Sequence, residues 1–190
     1  MCQIISLKPL SIKIIKKLDE DSELKNHVTL YYCLSKGDKN DLVIQKATEL
    51  GVKRIVLVSS KRCVVKYDNK NVDKKLERFK KIAKEASEQS HRLLIPDIEG
   101  PLDLKKLDKV IQEKNLLVAY EGNKDDKAFY INKDIDSIGI LIGPEGGLDL
   151  EEIKYLNNIG FINISLGKRI LRTETAVIYA LSVISNILER

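Results

Sequence analysis

Two hydrophobic textures alternate along the chain from Val28 onward. The first is the short, nearly continuous apolar run: 28–34 (VTLYYCL), 54–58 (RIVLV), 116–120 (LLVAY), 138–142 (IGILI) and 161–166 (FINISL). Strands buried on both faces read this way. The second is a longer mixed stretch with apolar residues at the spacing of one helix face. Leu42, Val43, Ala47 and Leu50 predict a helix over 41–50, with Asn40 as its cap and Gly51 as its stop. Leu76, Phe79, Ile82, Ala83 and Ala86 predict the longest helix, over 73–91. Leu104, Leu107, Val110 and Ile111 predict another over 102–114, after a weak strand over 93–98 that Pro96 interrupts. Residues 121–136 are polar and predict a loop, with room for an extended piece at 128–131. Asp149 and Glu152 form a capping box for a helix over 150–159, and a last helix covers 171–188. Alternation of this kind specifies an α/β domain: a mostly parallel sheet with helices on both faces.

The first 25 residues follow a different pattern. Residues 3–7 and 11–18 are short β-branched runs broken by Lys8-Pro9, and 19–23 is an acidic turn. They predict a hairpin, which is marginal unless it packs on something larger. The expected organisation is a small β unit over 1–25 and an α/β domain over 26–190.

Composition narrows the class. Hydrophobic residues make up 43% and charged residues 32% of the 190, as in soluble globular proteins. No apolar run approaches the roughly 18 residues of a membrane span, and the N-terminus has no secretory signal pattern. Cys2, Cys33 and Cys63 are odd in number and widely spaced, which predicts free thiols in a reducing cytoplasm. A net charge of +5 leans toward an acidic partner such as nucleic acid. Trp is absent and aromatics are 5%, which argues against stacking of bases on an aromatic platform.

Motifs for common chemistries are missing. The sequence has no GxxxxGK[ST], no GxGxxG after a strand, no GxSxG and no HExxH. Its two histidines, His27 and His91, and its acidic residues lack metal-ligand spacing, so no metal is expected. Two glycine-bearing loops remain. Ile142–Gly147 (IGPEGG) follows one predicted strand, and Ser165–Ala176 (SLGKRILRTETA) follows another. Both therefore lie at the carboxyl edge of the sheet, where ligands of open α/β folds bind. Glycine permits close backbone approach to a ligand. Such a site suits a cofactor that brings the reactive group itself.

IGPEGG and LGKRILRTETA, together with 45–52 (QKATELGV) and 88–92 (EQSHR), resemble the RsmE-type family. These are small-subunit ribosomal RNA uridine-N3 methyltransferases of the SPOUT, or α/β-knot, superfamily. The likeness covers roughly residues 36–190. It implies a C-terminal trefoil knot, S-adenosylmethionine as cofactor, a homodimer, a cytoplasmic location and small-subunit ribosomal RNA as partner. It implies a cofactor pocket made by Tyr120, Glu121 and Gly122, by Ile142, Gly143 and Gly146, and by Ser165, Leu166, Gly167, Ile170, Leu171 and Arg172. The same likeness implies that residues 1–25 are the remnant of a PUA-like β domain, which in the family is longer.

Uracil N3 becomes a nucleophile only as its proton leaves, so the site must hold a developing anion. Arg172, permanently cationic and in the third loop, is the expected stabiliser. Glu145 and Glu174 are the candidates for handling the proton; Arg172 could instead pair with either. Lys46, Arg62, His91 and Arg92 are the candidate RNA contacts. For Lys46, with Gln45 and Glu49, a subunit interface or a solvated face are the alternatives; for His91 and Arg92 the alternative is electrostatic capping of the long helix. The basic run from Lys74 to Lys84 reads as a solvated face or an RNA track. A tRNA ribose 2′-O-methyltransferase of the same superfamily and a catalytically silent RNA-binding or assembly module are the alternative functions.

Overall fold

A computed structural model describes residues 1–18, 21–63, 69–122, 131–132 and 134–189, with the side chains of 69–71 left out. The main sheet contains six parallel strands: β3 (His27–Cys33), β4 (Arg54–Ser59), β5 (Asp97–Asp103), β6 (Asn115–Ala119), β7 (Ser137–Ile142) and β8 (Phe161–Ile164). Their order is β5-β4-β3-β7-β6-β8. The chain grows outward from β3 on one side and fills the other side last. The β3–β7 junction is therefore the point where strand order reverses, and the loops leaving β3 and β7 flank it. Strands β1 (Cys2–Leu7) and β2 (Leu10–Ile14) form a separate antiparallel hairpin.

The helices are α1 (Lys39–Glu49), α2 (Asn69–Gln89), α3 (Leu150–Asn158) and α4 (Thr173–Leu188). Two apolar layers result. Leu30, Tyr32, Ile140 and Ile142 pack with Val43, Ala47, Phe79, Val177 and Leu181 on one face. Tyr31, Cys33, Val118 and Leu141 pack with Leu104, Leu107, Ile153 and Leu156 on the other. Period-two alternation along β3 thus serves both layers, which is why the run reads as continuously apolar. After edge strand β8 the chain turns back, and α4 packs against α1 and β7.

Several elements differ from expectation for identifiable reasons. The strand expected over 93–98 begins at Asp97, because Glu23 engages the N–H groups of Leu93 and Leu94 at 2.9 and 3.1 Å. It then runs through Gly100-Pro101 to Asp103, with a register shift against β4. A Cβ on Gly100 would lie 2.4 Å from the Leu57 carbonyl oxygen, so only glycine fits this irregular edge. The helix expected over 102–114 shrinks to a 3₁₀ turn over Leu104–Lys109. Asn40 does not cap α1. Its amide clasps Ser35 instead, accepting from the Ser35 N–H at 3.0 Å and donating to the Ser35 carbonyl at 2.8 Å. Helix α2 starts four residues before the expected Asp73, β2 stops at Ile14, and α4 begins at Thr173. The extended piece expected at 128–131 falls mainly on residues outside those described.

Candidate active site

The three loops after β6, β7 and β8 meet at the carboxyl edge of the sheet. The N–H of Tyr120 donates to the Ile164 carbonyl at 3.0 Å, so the first and third loops leave side by side. The second turns back on itself through a Gly147 N–H to Pro144 carbonyl bond of 2.9 Å. Between them lies a cleft open to solvent, with a cavity volume of about 150 Å³.

Tyr120, Glu121, Ile142, Gly143, Ser165, Leu166, Gly167, Ile170 and Leu171 all line it, as expected. So do Pro144, Gly147, Lys168 and Arg169 of the same loops, and Ala119, Leu148, Thr173 and Ala176, which sequence reading did not name as cofactor contacts. Leu148 hides within a polar stretch; its burial at 6% exposure reveals it as a wall. Gly167 has φ of +108° and nothing within 4 Å of a would-be Cβ, so its backbone faces open space. Ile170 is 85% exposed at the mouth.

Three expected contacts sit differently. Gly146 does not line the cleft, because Arg62 lies against it and donates to its carbonyl at 2.9 Å. Gly122 is also outside the lining; a Cβ there would lie 2.5 Å from the Tyr120 ring, so this glycine gives that ring room. Arg172 is the exposed residue preceding α4, and it contributes its carbonyl to the Ala176 N–H at 2.8 Å without lining the cleft.

Glu145 and Glu174 do come together, but around Lys39 instead of Arg172. The Lys39 ammonium lies 3.3 Å from Glu145 and 3.8 Å from Glu174. Burial raises the Glu145 carboxyl, but the loop N–H groups of Glu145 and Lys36 and the Lys39 charge outweigh it. The net direction is below the ordinary value. That makes Glu145 a structural acceptor and a weak proton acceptor. The sequence did hold a signal for Lys39: a lysine opening a helix opposes the positive end of the helix dipole, so its presence there asks for another reason.

The expected RNA contacts divide. Arg62 is exposed at the ligand edge, where it braces the second loop. Its position is fixed by its neighbour: the Lys61 N–H donates to buried Glu152 at 2.8 Å. Lys46 pairs with Glu49 along α1 at 2.9 Å. His91 is exposed with φ of 55°, and its carbonyl accepts from Ser22 at 2.6 Å. Arg92 is corrected outright. Its side chain is 2% exposed, held by Glu23 at 2.6 Å and by the carbonyls of Thr48 and Val52 at 2.8 Å. Thr48 and Val52 lie where α1 ends and β4 has yet to begin, and Glu23 lies just before β3, all at the amino edge of the sheet. Arg92 is a buried tie between chain segments and cannot face RNA.

Residues 22–185 match the model of the RNA methyltransferase domain. The chain belongs to that family. The chain is 39% identical to ribosomal RNA small subunit methyltransferase E of Bacillus subtilis, over 96% of its own length and 75% of the relative's. It is also 39% identical to the protein of that name from Mesomycoplasma hyopneumoniae, over 94% and 79%. Among solved structures, methyltransferase E of Neisseria gonorrhoeae bound to S-adenosyl methionine superposes with a TM-score of 0.84 at 31% identity, covering 94% of this chain and 73% of that one. A Legionella pneumophila methyltransferase with bound SAM gives 0.82 at 34%, covering 93% and 73%. The SpoU methyltransferase AviRb of Streptomyces viridochromogenes gives 0.54 at 16%, a likeness of fold alone, with 95% and 67% covered. In this RNA methyltransferase domain, then, IGPEGG and LGKRILRTETA converge as two walls of one cleft. Among the described residues no group of His, Cys, Asp or Glu could hold a metal ion, and no helix is long and apolar enough to cross a membrane.

Proposed function

We propose that the chain uses S-adenosylmethionine to methylate N3 of a uridine in small-subunit ribosomal RNA. One observation carries this: the cleft's apolar walls and free glycine backbone lie directly beside a lysine bracketed by two carboxylates. Leu148, Leu166 and Leu171 suit the faces of an adenine. Gly143 and Gly167 leave backbone groups open to a bent ligand. The cofactor, when bound, supplies an electrophilic methyl on a sulfonium, whose sulfur keeps the bonding pair as uracil N3, stripped of its proton, takes the methyl. The chain's task is then to hold the acceptor base in line, exclude water and compensate the charge that develops.

The reading includes a homodimer, the trefoil threading of 165–188, and assignment of the hairpin at 1–25 to a PUA-like β unit. The exposed apolar side chains of that hairpin, Ile4, Ile12 and Ile14 among them, support a unit that packs on further surface. The test is mass analysis of nucleosides from small ribosomal subunits incubated with the protein and labelled cofactor. Label in 3-methyluridine is expected; label in a 2′-O-methylribose, or none, would refute the reading.

A further inference from the structure

Pro144 and Thr173 line the cofactor cleft, and the residues that follow them, Glu145 and Glu174, bracket Lys39. Lys39 is thus one residue removed from the cleft wall on two sides. Beneath it lies Tyr32, level with Ile142 in the β3–β7 register. Tyr32 and Ser35 are fully buried, and their hydroxyls have no hydrogen-bond partner beyond each other. The buried carboxylate oxygen of Glu174 that Lys39 faces at 3.8 Å is beyond hydrogen-bond reach of that ammonium and has no other partner. The Ser35 hydroxyl stands beside that of Tyr32, and both glutamates are near enough to act on Tyr32 electrostatically. Buried polar side chains are normally satisfied, and leaving one unpaired is unfavourable. These three under-bonded groups, from β3, the loop after it and the start of α4, lie together beside the Lys39 ion pairs.

The chemistry of the acceptor gives that cluster a use. The reactive edge of uracil presents a carbonyl oxygen, the N3–H and a second carbonyl oxygen. A lysine beside a carboxylate matches it: the ammonium donates to a carbonyl oxygen, and the carboxylate accepts from N3–H. Cytosine presents an amino group and an unprotonated N3 instead, which would set donor against donor and acceptor against acceptor.

We propose that Lys39 receives the carbonyl oxygen of the acceptor uracil, and that Glu174, steadied by the buried hydroxyls of Tyr32 and Ser35, takes the N3 proton. The inference rests on the transferase reading above. As Lys39 turns to the base, Glu174 is freed from that cation, and the Tyr32 and Ser35 hydroxyls keep its carboxylate in place. The N3–H bond breaks, the proton passes to Glu174 and later to solvent, and the electron pair stays on N3. The anion's charge spreads to the carbonyl oxygens, where Lys39 compensates it. Lys39 and Glu174 are catalytic residues in this scheme; Tyr32 and Ser35 are positioning residues.

The experiment compares the full chain with Lys39→Met, Lys39→Arg and Tyr32→Phe. It measures methyl incorporation into small ribosomal subunits that lack the mark, together with calorimetric affinity for S-adenosylmethionine. Lys39→Met is expected to lower kcat about a hundredfold, the scale of removing one charge-stabilising donor, with cofactor affinity within about twofold of wild type. Lys39→Arg should recover part of the loss. Tyr32→Phe should lower kcat with KM and cofactor affinity unchanged, and should stay folded because the hydroxyl it deletes has no partner other than Ser35. Wild-type turnover in Lys39→Met or Tyr32→Phe overturns the proposal and leaves the transferase reading standing. Parallel loss of cofactor affinity also overturns it, by assigning Lys39 to the cofactor. A wild-type chain inert on ribosomal subunits sinks both.

Discussion

A glycine can serve by what its missing side chain would strike, and Gly143 shows how directly. A Cβ there would lie 3.1 Å from Leu148, itself a wall of the cleft. Gly143→Val therefore does two things at once: it blocks backbone approach and drives Leu148 into the ligand's space. Overpacking of this kind costs about 1–3 kcal/mol, so melting should fall by several degrees while the fold persists. Calorimetry should show affinity for S-adenosylmethionine reduced tenfold or more; unchanged affinity would remove this loop from the site. A second residue-scale prediction concerns Glu23 and Arg92. Burial raises the Glu23 carboxyl, but the Arg92 guanidinium and the N–H groups of Leu93 and Leu94 overcome it, leaving the net value below the ordinary 4.5. A depressed carboxyl contributes stability that is present above pH 4.5 and lost as pH falls through the folded-state value. Glu23→Gln should thus cost about 1–2 kcal/mol at pH 7, less than breaking a fully buried pair because the carboxylate is part-solvated and the amide keeps an acceptor. The gap to wild type should close in denaturant melts below pH 4.

At the level of elements, α3 is tied to the site through its own cap. Asp149 accepts from the Glu152 N–H at 2.8 Å, and Glu152 accepts from the Asp149 N–H at 3.0 Å. Glu152 also accepts from the Lys61 N–H, which places Arg62 against Gly146. Glu152→Ala should therefore exceed the roughly 1 kcal/mol of a lost cap and should weaken RNA binding through a loosened Arg62, both readable in paired melting and filter-binding assays. The capping box was visible in sequence because its chemistry is local. The β strands were visible because burial on both faces leaves no polar position to obscure them. What local reading missed was set by distant partners. Pro96 marked a break, yet the strand forms just after it and runs on across Gly100-Pro101 because β4 supplies a complementary edge. Asn40 has a capping residue's side chain, but Ser35 offered it two backbone partners instead. Lys39 was missed because the two carboxylates that hold it lie more than a hundred positions away, at 145 and 174.

The whole molecule carries charge on most of its surface, which makes one uncharged face conspicuous. From Thr175 to Leu188 the chain has no charged residue, although charged residues form 32% of the sequence. The inward side of α4 accounts for Val177, Ala180, Leu181 and Ile184, all at most 1% exposed. The outward side does not need to be uncharged for folding, yet it presents Thr175, Tyr179, Ser182 and Asn186, with Ile178 and Val183 half-buried between them. By contrast α2 covers its outer side with lysine and glutamate, as a solvated helix does. An uncharged stripe with a central aromatic has the composition of an interface core, and a two-fold axis would pack it against its own copy. Tyr179, 46% exposed in the single chain, would be the anchor. Sedimentation of the wild type should give a dimer, and Tyr179→Lys should give a monomer, because an isologous contact buries the new charge twice and against itself. Since α4 begins at Glu174 and Thr173, beside the cleft, that monomer should also bind S-adenosylmethionine more weakly. A Tyr179→Lys protein that stays dimeric would place the contact on another face.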